Sequence, residues 1–160
     1  MIEYEINEQF KKDVEAVVSD TKFTEFNALR ELEVKIAAVV CTRTNNDDEH
    51  VPCKGTPITS KKLPPLFQLL TGFHYLVVGD YYFWTHTTDK RKNAAIHGAL
   101  SSIHVERTKA GSISLKMIKP DIQAHSVTVA RFGAYDEPLE NCMEAFKRSA
   151  NLLSSNLKPS

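Results

Sequence analysis

Apolar positions recur at helical spacing near the start of the chain. Phe10, Val14, Val17 and Val18 fall on one side of EQFKKDVEAVVSD, and Asn7 precedes it as a capping residue. This predicts a helix over residues 8–20, with a turn or short helix over 24–30. The period then changes: residues 32–41 (LEVKIAAVVC) begin with alternation and end in an apolar run, as a buried strand does. Residues 44–50 (TNNDDEH) are polar throughout and predict an exposed loop. Residues 54–62 contain Gly55 and Pro57, which leaves at best an edge strand or an irregular return. Proline opens a short helix over 64–70 and Thr71-Gly72 ends it. Residues 74–78 read as an inner strand.

The run Tyr81-Tyr82-Phe83-Trp84 follows that strand. Thr88-Asp89 then opens a helix over 89–106, with the Asp89 carboxylate favourable at its positive end. Residues 108–117 predict a hairpin turning at Ala110-Gly111, with Ile113, Leu115 and Met117 alternating on one face. Pro120 introduces a helix that Gly133 closes, and residues 138–153 carry a last amphipathic pattern through Leu139, Met143, Phe146, Ala150 and Leu153. The expected fold class is α+β, a small mixed β-sheet packed against helices in a single domain over 1–160. Within it, residues 1–31 form an N-terminal helical segment, 32–135 the core and 136–160 a C-terminal helix.

Composition narrows the functional classes. Twenty basic and twenty acidic residues cancel, so no general electrostatic pull toward nucleic acid or an anionic membrane is expected. No apolar run approaches the roughly 20 residues that span a bilayer. The acidic Met1-Ile2-Glu3-Tyr4-Glu5 start lacks the regions of a signal peptide. Three cysteines, Cys41, Cys53 and Cys142, are an odd number at wide spacing, which suits a reducing compartment. A cytoplasmic location is expected.

Lys54-Gly55, the basic Ser60-Lys61-Lys62, LFQLLTGFHYLVVG, a tryptophan, TDKRKNAAIHGALSSI and LKMIKPDIQAHSVTVARFGAY follow one another in a recognisable order. Over residues 32–135 that order resembles the phage metallopeptidase family. The resemblance implies a zincin-like scaffold whose metal helix carries Asp-His-Glu-Leu-Cys-His. Aligned through Ala94-Ala95-Ile96, the family's aspartate falls on His97 and its first histidine on Gly98. Its glutamate falls on Ala99 and its second histidine on Ser102. Zinc catalysis needs about three protein ligands and an activated water. The resemblance therefore implies the scaffold without the chemistry: no cofactor and no catalytic residue. It also implies a phage product in the host cytoplasm that binds and inhibits a host protein, such as a restriction or CRISPR-type defence system. Nucleic acid is not expected as the main partner.

Other constellations stand beside this reading. A metal-dependent hydrolase with a site rebuilt from His97, Asp121 and His125 is the alternative, each residue also having an ordinary role as a helix or surface group. His97 and His104 on one continuous helix would lie roughly 10 Å apart along its axis, too far for one tetrahedral metal. His86-Thr87-Thr88 matches the His-x-Thr pattern of two-histidine phosphoesterases, but neither His125-Ser126-Val127 nor His104-Val105-Glu106 supplies the second hydroxyl. Cys53 with His50 is the one cysteine placed near a base in sequence. Tyr81, Tyr82 and Trp84, with Lys90 and Arg91, form the candidate partner-binding surface. The aromatic run has an equal reading as packing at a strand end.

Overall fold

The computed structural model describes residues 1–119 and 125–132. Strand β1 (Ile2–Glu5) leads into helix α1 (Glu8–Ser19), where the Asn7 side chain accepts from the Phe10 amide at 3.0 Å. A 3-10 turn (Thr24–Phe26) and α2 (Asn27–Glu31) follow. Then come β2 (Ile36–Thr44), β3 (His50–Val51), β4 (Ile58–Lys62), α3 (Pro65–Thr71) and β5 (Tyr75–Asp80). The short α4 (Tyr81–His86) precedes α5 (Asp89–Ser101), the hairpin β6 (Ile103–Arg107) with β7 (Ile113–Met117), and α6 (Ser126–Phe132).

The main sheet has the order β1-β2-β5-β4, with β3 also paired to β2. The β2–β5 pair is parallel and the others are antiparallel, so the sheet is mixed. Alternation along the strands divides its two faces. Ala38, Val40, Tyr75 and Val77 join the core beneath the helices. Val39, Cys41, Leu76, Val78 and Asp80 point the other way and line a cavity of about 680 Å³. On the inner side the core runs from Phe10, Val14 and Val17 of α1 through Phe23 and Phe26 to Ile96, Ala99 and Leu100 of α5. The N-terminal helical segment thus shares one core with the residues after it. Gly79 is required by this packing, since a Cβ there would lie 2.6 Å from the Phe10 ring.

Four expectations need correction. The helix from Asp89 ends at Ser101 rather than at residue 106, because Ile103 and Val105 turn inward while His104 and Glu106 turn outward in a ladder with β7. That period-two stretch is too short to contrast with the helical pattern before it. Strand β1 was not expected: all four of its residues are exposed, so no burial pattern marks it, and only pairing with β2 makes it a strand. Strand β2 begins at Ile36 rather than Leu32, after Glu33 takes a left-handed φ of 51°. Tyr81–His86 is a helical turn capped by Asp80, whose carboxylate accepts from the Tyr82 amide at 3.0 Å. The amphipathic helix expected over 138–153 and the Pro120 helix start lie outside the described residues.

Candidate functional site

Helix α5 is built to sit centrally. The Thr88 hydroxyl caps it and Asp89 occupies its first turn. Ala94, Ile96, His97, Ala99 and Leu100 are its buried residues. Its C-terminal end needs partners, because β6 begins before the last carbonyls are all satisfied. The Ala99 carbonyl accepts from the Ser60 hydroxyl of edge strand β4 at 2.6 Å and from the Ser102 amide at 3.3 Å. The helix is therefore pinned to the edge of the sheet at the turn where the resemblance places the metal motif.

At that turn Gly98 is half-buried, Ala99 is buried and Ser102 is half-buried. Gly98 and Ala99 offer no side-chain donor atom. Ser102 offers a neutral hydroxyl, and that hydroxyl is 2.7 Å from His125 Nε2. This donor set does not fit a tetrahedral zinc, which takes imidazole, thiolate or carboxylate. Among the described residues, no group of three or more His, Cys, Asp or Glu side chains is placed to hold a metal ion.

His97, on which the resemblance aligns the family's aspartate, is fully buried. Its ring is surrounded by Phe23, Phe26 and Phe132, with centroids 4.9, 4.9 and 5.4 Å away. Nε2 lies 2.6 Å from Glu25 Oε1 and Nδ1 lies 2.9 Å from Thr128 Oγ1. Glu25 also receives two hydrogen bonds from Arg131, at 3.2 and 3.0 Å. Burial alone would raise the Glu25 carboxyl. The Arg131 bonds, its own backbone amide and His97 outweigh that and hold it at about 2. Burial lowers His97, against the opposing pull of Glu25. The imidazole is thus neutral, with Nε2–H donating to the carboxylate and Nδ1 accepting from the Thr128 hydroxyl. Hydroxyl, imidazole and carboxylate stand in line as in a hydrolytic triad, but Thr128 and His97 are both 0 % exposed. The cluster ties α6 and the 3-10 turn to α5.

The remaining candidate residues are dispersed. Both ring nitrogens of His97 are engaged, His125 meets Ser102, and Asp121 lies outside the described residues. His104 is exposed on β6, so the helical spacing considered for it does not arise. His86 Nδ1 sits 2.8 Å from the Tyr82 carbonyl and its ring stacks on Tyr82, while Thr88 serves as cap. Tyr81 and Trp84 pack against the core, and Trp84 Nε1 donates to Asp13 at 3.2 Å. Lys92 lies over the Trp84 ring, whereas Lys90 and Arg91 are exposed. The Cys53 thiol faces Cys41 rather than His50. Burial, the neighbouring Cys41 and the Asp80 charge push it up to about 12, so the thiolate is scarce and Cys53 lacks the activation of a catalytic nucleophile.

Sequence reasoning missed Glu25, Thr128 and Arg131. Glu25 is 72 residues from His97 and Thr128 is 31, so no local signal links them. The Cys41–Cys53 contact was legible in principle, since both cysteines flank the polar loop of a hairpin.

A central helix held against a mixed sheet, with an antiparallel edge strand hydrogen-bonded to its last turn, defines a small α+β domain of the helix-backed type. The chain belongs to the family described as "Putative phage metallopeptidase", whose model matches residues 2–147. The match extends on both sides of the 32–135 segment that carried the resemblance. No curated protein and no solved structure matches the chain.

Proposed function

We propose that this chain is a non-catalytic member of its family that acts by binding a host protein, a bacterial defence system of the restriction or CRISPR type being the target class. The observation that carries the reading is the turn of α5 at Ser102. The helix keeps its cap, burial and edge-strand contact there, while its motif positions hold Gly98, Ala99 and a serine bonded to His125. The half-buried Tyr82 and the exposed Arg91 are residue types that partner surfaces favour, and Lys90 is exposed beside Arg91 in the first turn of α5.

The test has two parts. Protein purified without chelator or metal-affinity tag is expected to carry no stoichiometric zinc or manganese and to leave unfolded casein intact. One metal per chain, with hydrolysis lost in His125→Ala, would instead establish the rebuilt hydrolase. For binding, a tagged chain is expected to retain one host protein at fixed stoichiometry, released by Tyr82→Ala with Lys90→Glu and Arg91→Glu. Retention that is unchanged in this triple variant removes the proposed surface.

A further inference from the structure

The Cys41 and Cys53 sulfurs are 3.4 Å apart and both thiols are free. Their approach begins at the ladder. Strands β2 and β3 pair Arg43 with Val51 and Thr44 with His50. Past Val51 the chain leaves the ladder, because Asp80 of β5 already stands opposite Cys41 on that edge, and Cys53 is brought to Cys41 through Asp80 instead. The backbone of Cys53 is already held in place, because its amide donates to the buried Asp80 carboxylate at 3.1 Å. Asp80 is itself the β5 residue paired with Cys41, and its amide donates to the Pro57 carbonyl at 2.7 Å. The gap that remains to a bonded S–S distance is roughly 1.4 Å. Both cysteines line the cavity on the outer face of the sheet, with Tyr4, Val78 and Lys61. Cys53 is half-buried there, and Cys41 lies behind it at 7 % exposed.

We infer that Cys41 and Cys53 are a reversible redox modification site, closing to an intrachain disulfide under hydrogen peroxide and fixing the 53–57 segment as one wall of the outer-face cavity. The Cys53 sulfur, as thiolate, attacks one peroxide oxygen. An S–O bond forms, the O–O bond breaks, and the departing hydroxide leaves as water with the thiol proton. The Cys41 sulfur then attacks the sulfenic sulfur. The S–S bond forms and the hydroxyl leaves as a second water with the Cys41 proton. Two thiols are oxidised by two electrons and one peroxide is reduced to two waters. The high Cys53 pKa makes the first step slow, so the site responds to sustained oxidation rather than a brief pulse. A thiol reductant reverses it.

The full-length chain treated with peroxide and then quenched gives the test. Free thiols are expected to fall from three to one per chain. A non-reducing tryptic digest should join the peptide 36–43, which holds Cys41, to 44–54, which holds Cys53, since Arg43 and Lys54 are cleavage points. Oxidation should raise Tm by roughly 5 °C or more, as expected for a ring of this size. That rise should vanish in Cys53→Ser and persist in Cys142→Ser. Crosslinks through Cys142, sulfinic acid at Cys53 without a joined peptide pair, or a rise that survives in Cys53→Ser would each overturn the inference.

Discussion

His97 of α5 and Glu25 of the 3-10 turn meet at 2.6 Å across 72 residues of chain, inside a shell of three phenylalanine rings. The pair explains why a histidine is tolerated at 0 % exposure in the core: each ring nitrogen has a partner, and the ring fills an aromatic box. Arg131 completes it by neutralising Glu25 from the other side.

Removing the ring should be costly. His97→Ala leaves a cavity and strips Thr128 of its imidazole acceptor, so a loss of about 2–4 kcal/mol is expected in urea unfolding. Thr128→Val should cost about 1–2 kcal/mol. A double-mutant cycle between His97→Ala and Glu25→Gln is expected to show positive coupling. Additive losses would mean that the 2.6 Å contact contributes nothing.

Acid should weaken the fold in two stages of the same sign. His97 has a depressed folded pKa, so the unfolded chain takes up its proton first, and stability falls as pH drops below the ordinary imidazole value of 6.5. Glu25 is depressed from 4.5 to about 2, so its contribution is complete above 4.5 and is lost as pH falls toward 2. That second stage amounts to no more than about 3 kcal/mol. Chemical denaturation from pH 8 to 2 measures both stages, and Glu25→Gln should flatten the lower one.

Gly79→Ala is expected to destabilise by about 1–3 kcal/mol through overpacking. The new Cβ would meet the Phe10 ring at 2.6 and 2.7 Å, and that ring is fully buried edge-on to Trp84. Shortening the obstacle should help. Adding Phe10→Leu to Gly79→Ala is expected to cost less than the two single losses summed, and thermal melts of the four proteins decide it.

Trp84→Phe should cost about 1 kcal/mol, since it removes the indole bond to Asp13 while keeping an aromatic ring beside Phe10. Tyr82→Ala should fall below that, because Tyr82 lies outside the core and stacks on exposed His86. A melt in which Tyr82→Ala is the more damaging would reassign the aromatic run. The ranking matters for binding experiments: loss of a partner in Trp84→Ala reports on folding, whereas loss in a Tyr82, Lys90 or Arg91 variant reports on the surface.

Elements with a one-sided pattern were legible in the residues alone. The amphipathic stripe and Asn7 cap of α1 appear as read, and so do the proline start and Gly72 end of α3, where Gly72 takes a φ of 77°. The inner position of β5 and the edge position of β4 also follow from an apolar run and from Gly55 with Pro57. Strand β1 was not legible, having no buried face, nor was the break at Ser102, where two periods meet within a few residues.

The candidate site divides in the same way. Gly98, Ala99 and Ser102 at the motif turn are matters of sequence, because whether a side chain carries a donor atom is settled by its identity. What those positions do was decided by tertiary structure. Ser102 found His125, His97 found Glu25 and Thr128, and Cys53 came to rest against Cys41. Local propensity and periodicity report which face a residue turns inward. They carry no information on which distant group waits there, because that depends on how the sheet orders its strands and where the helices cross it.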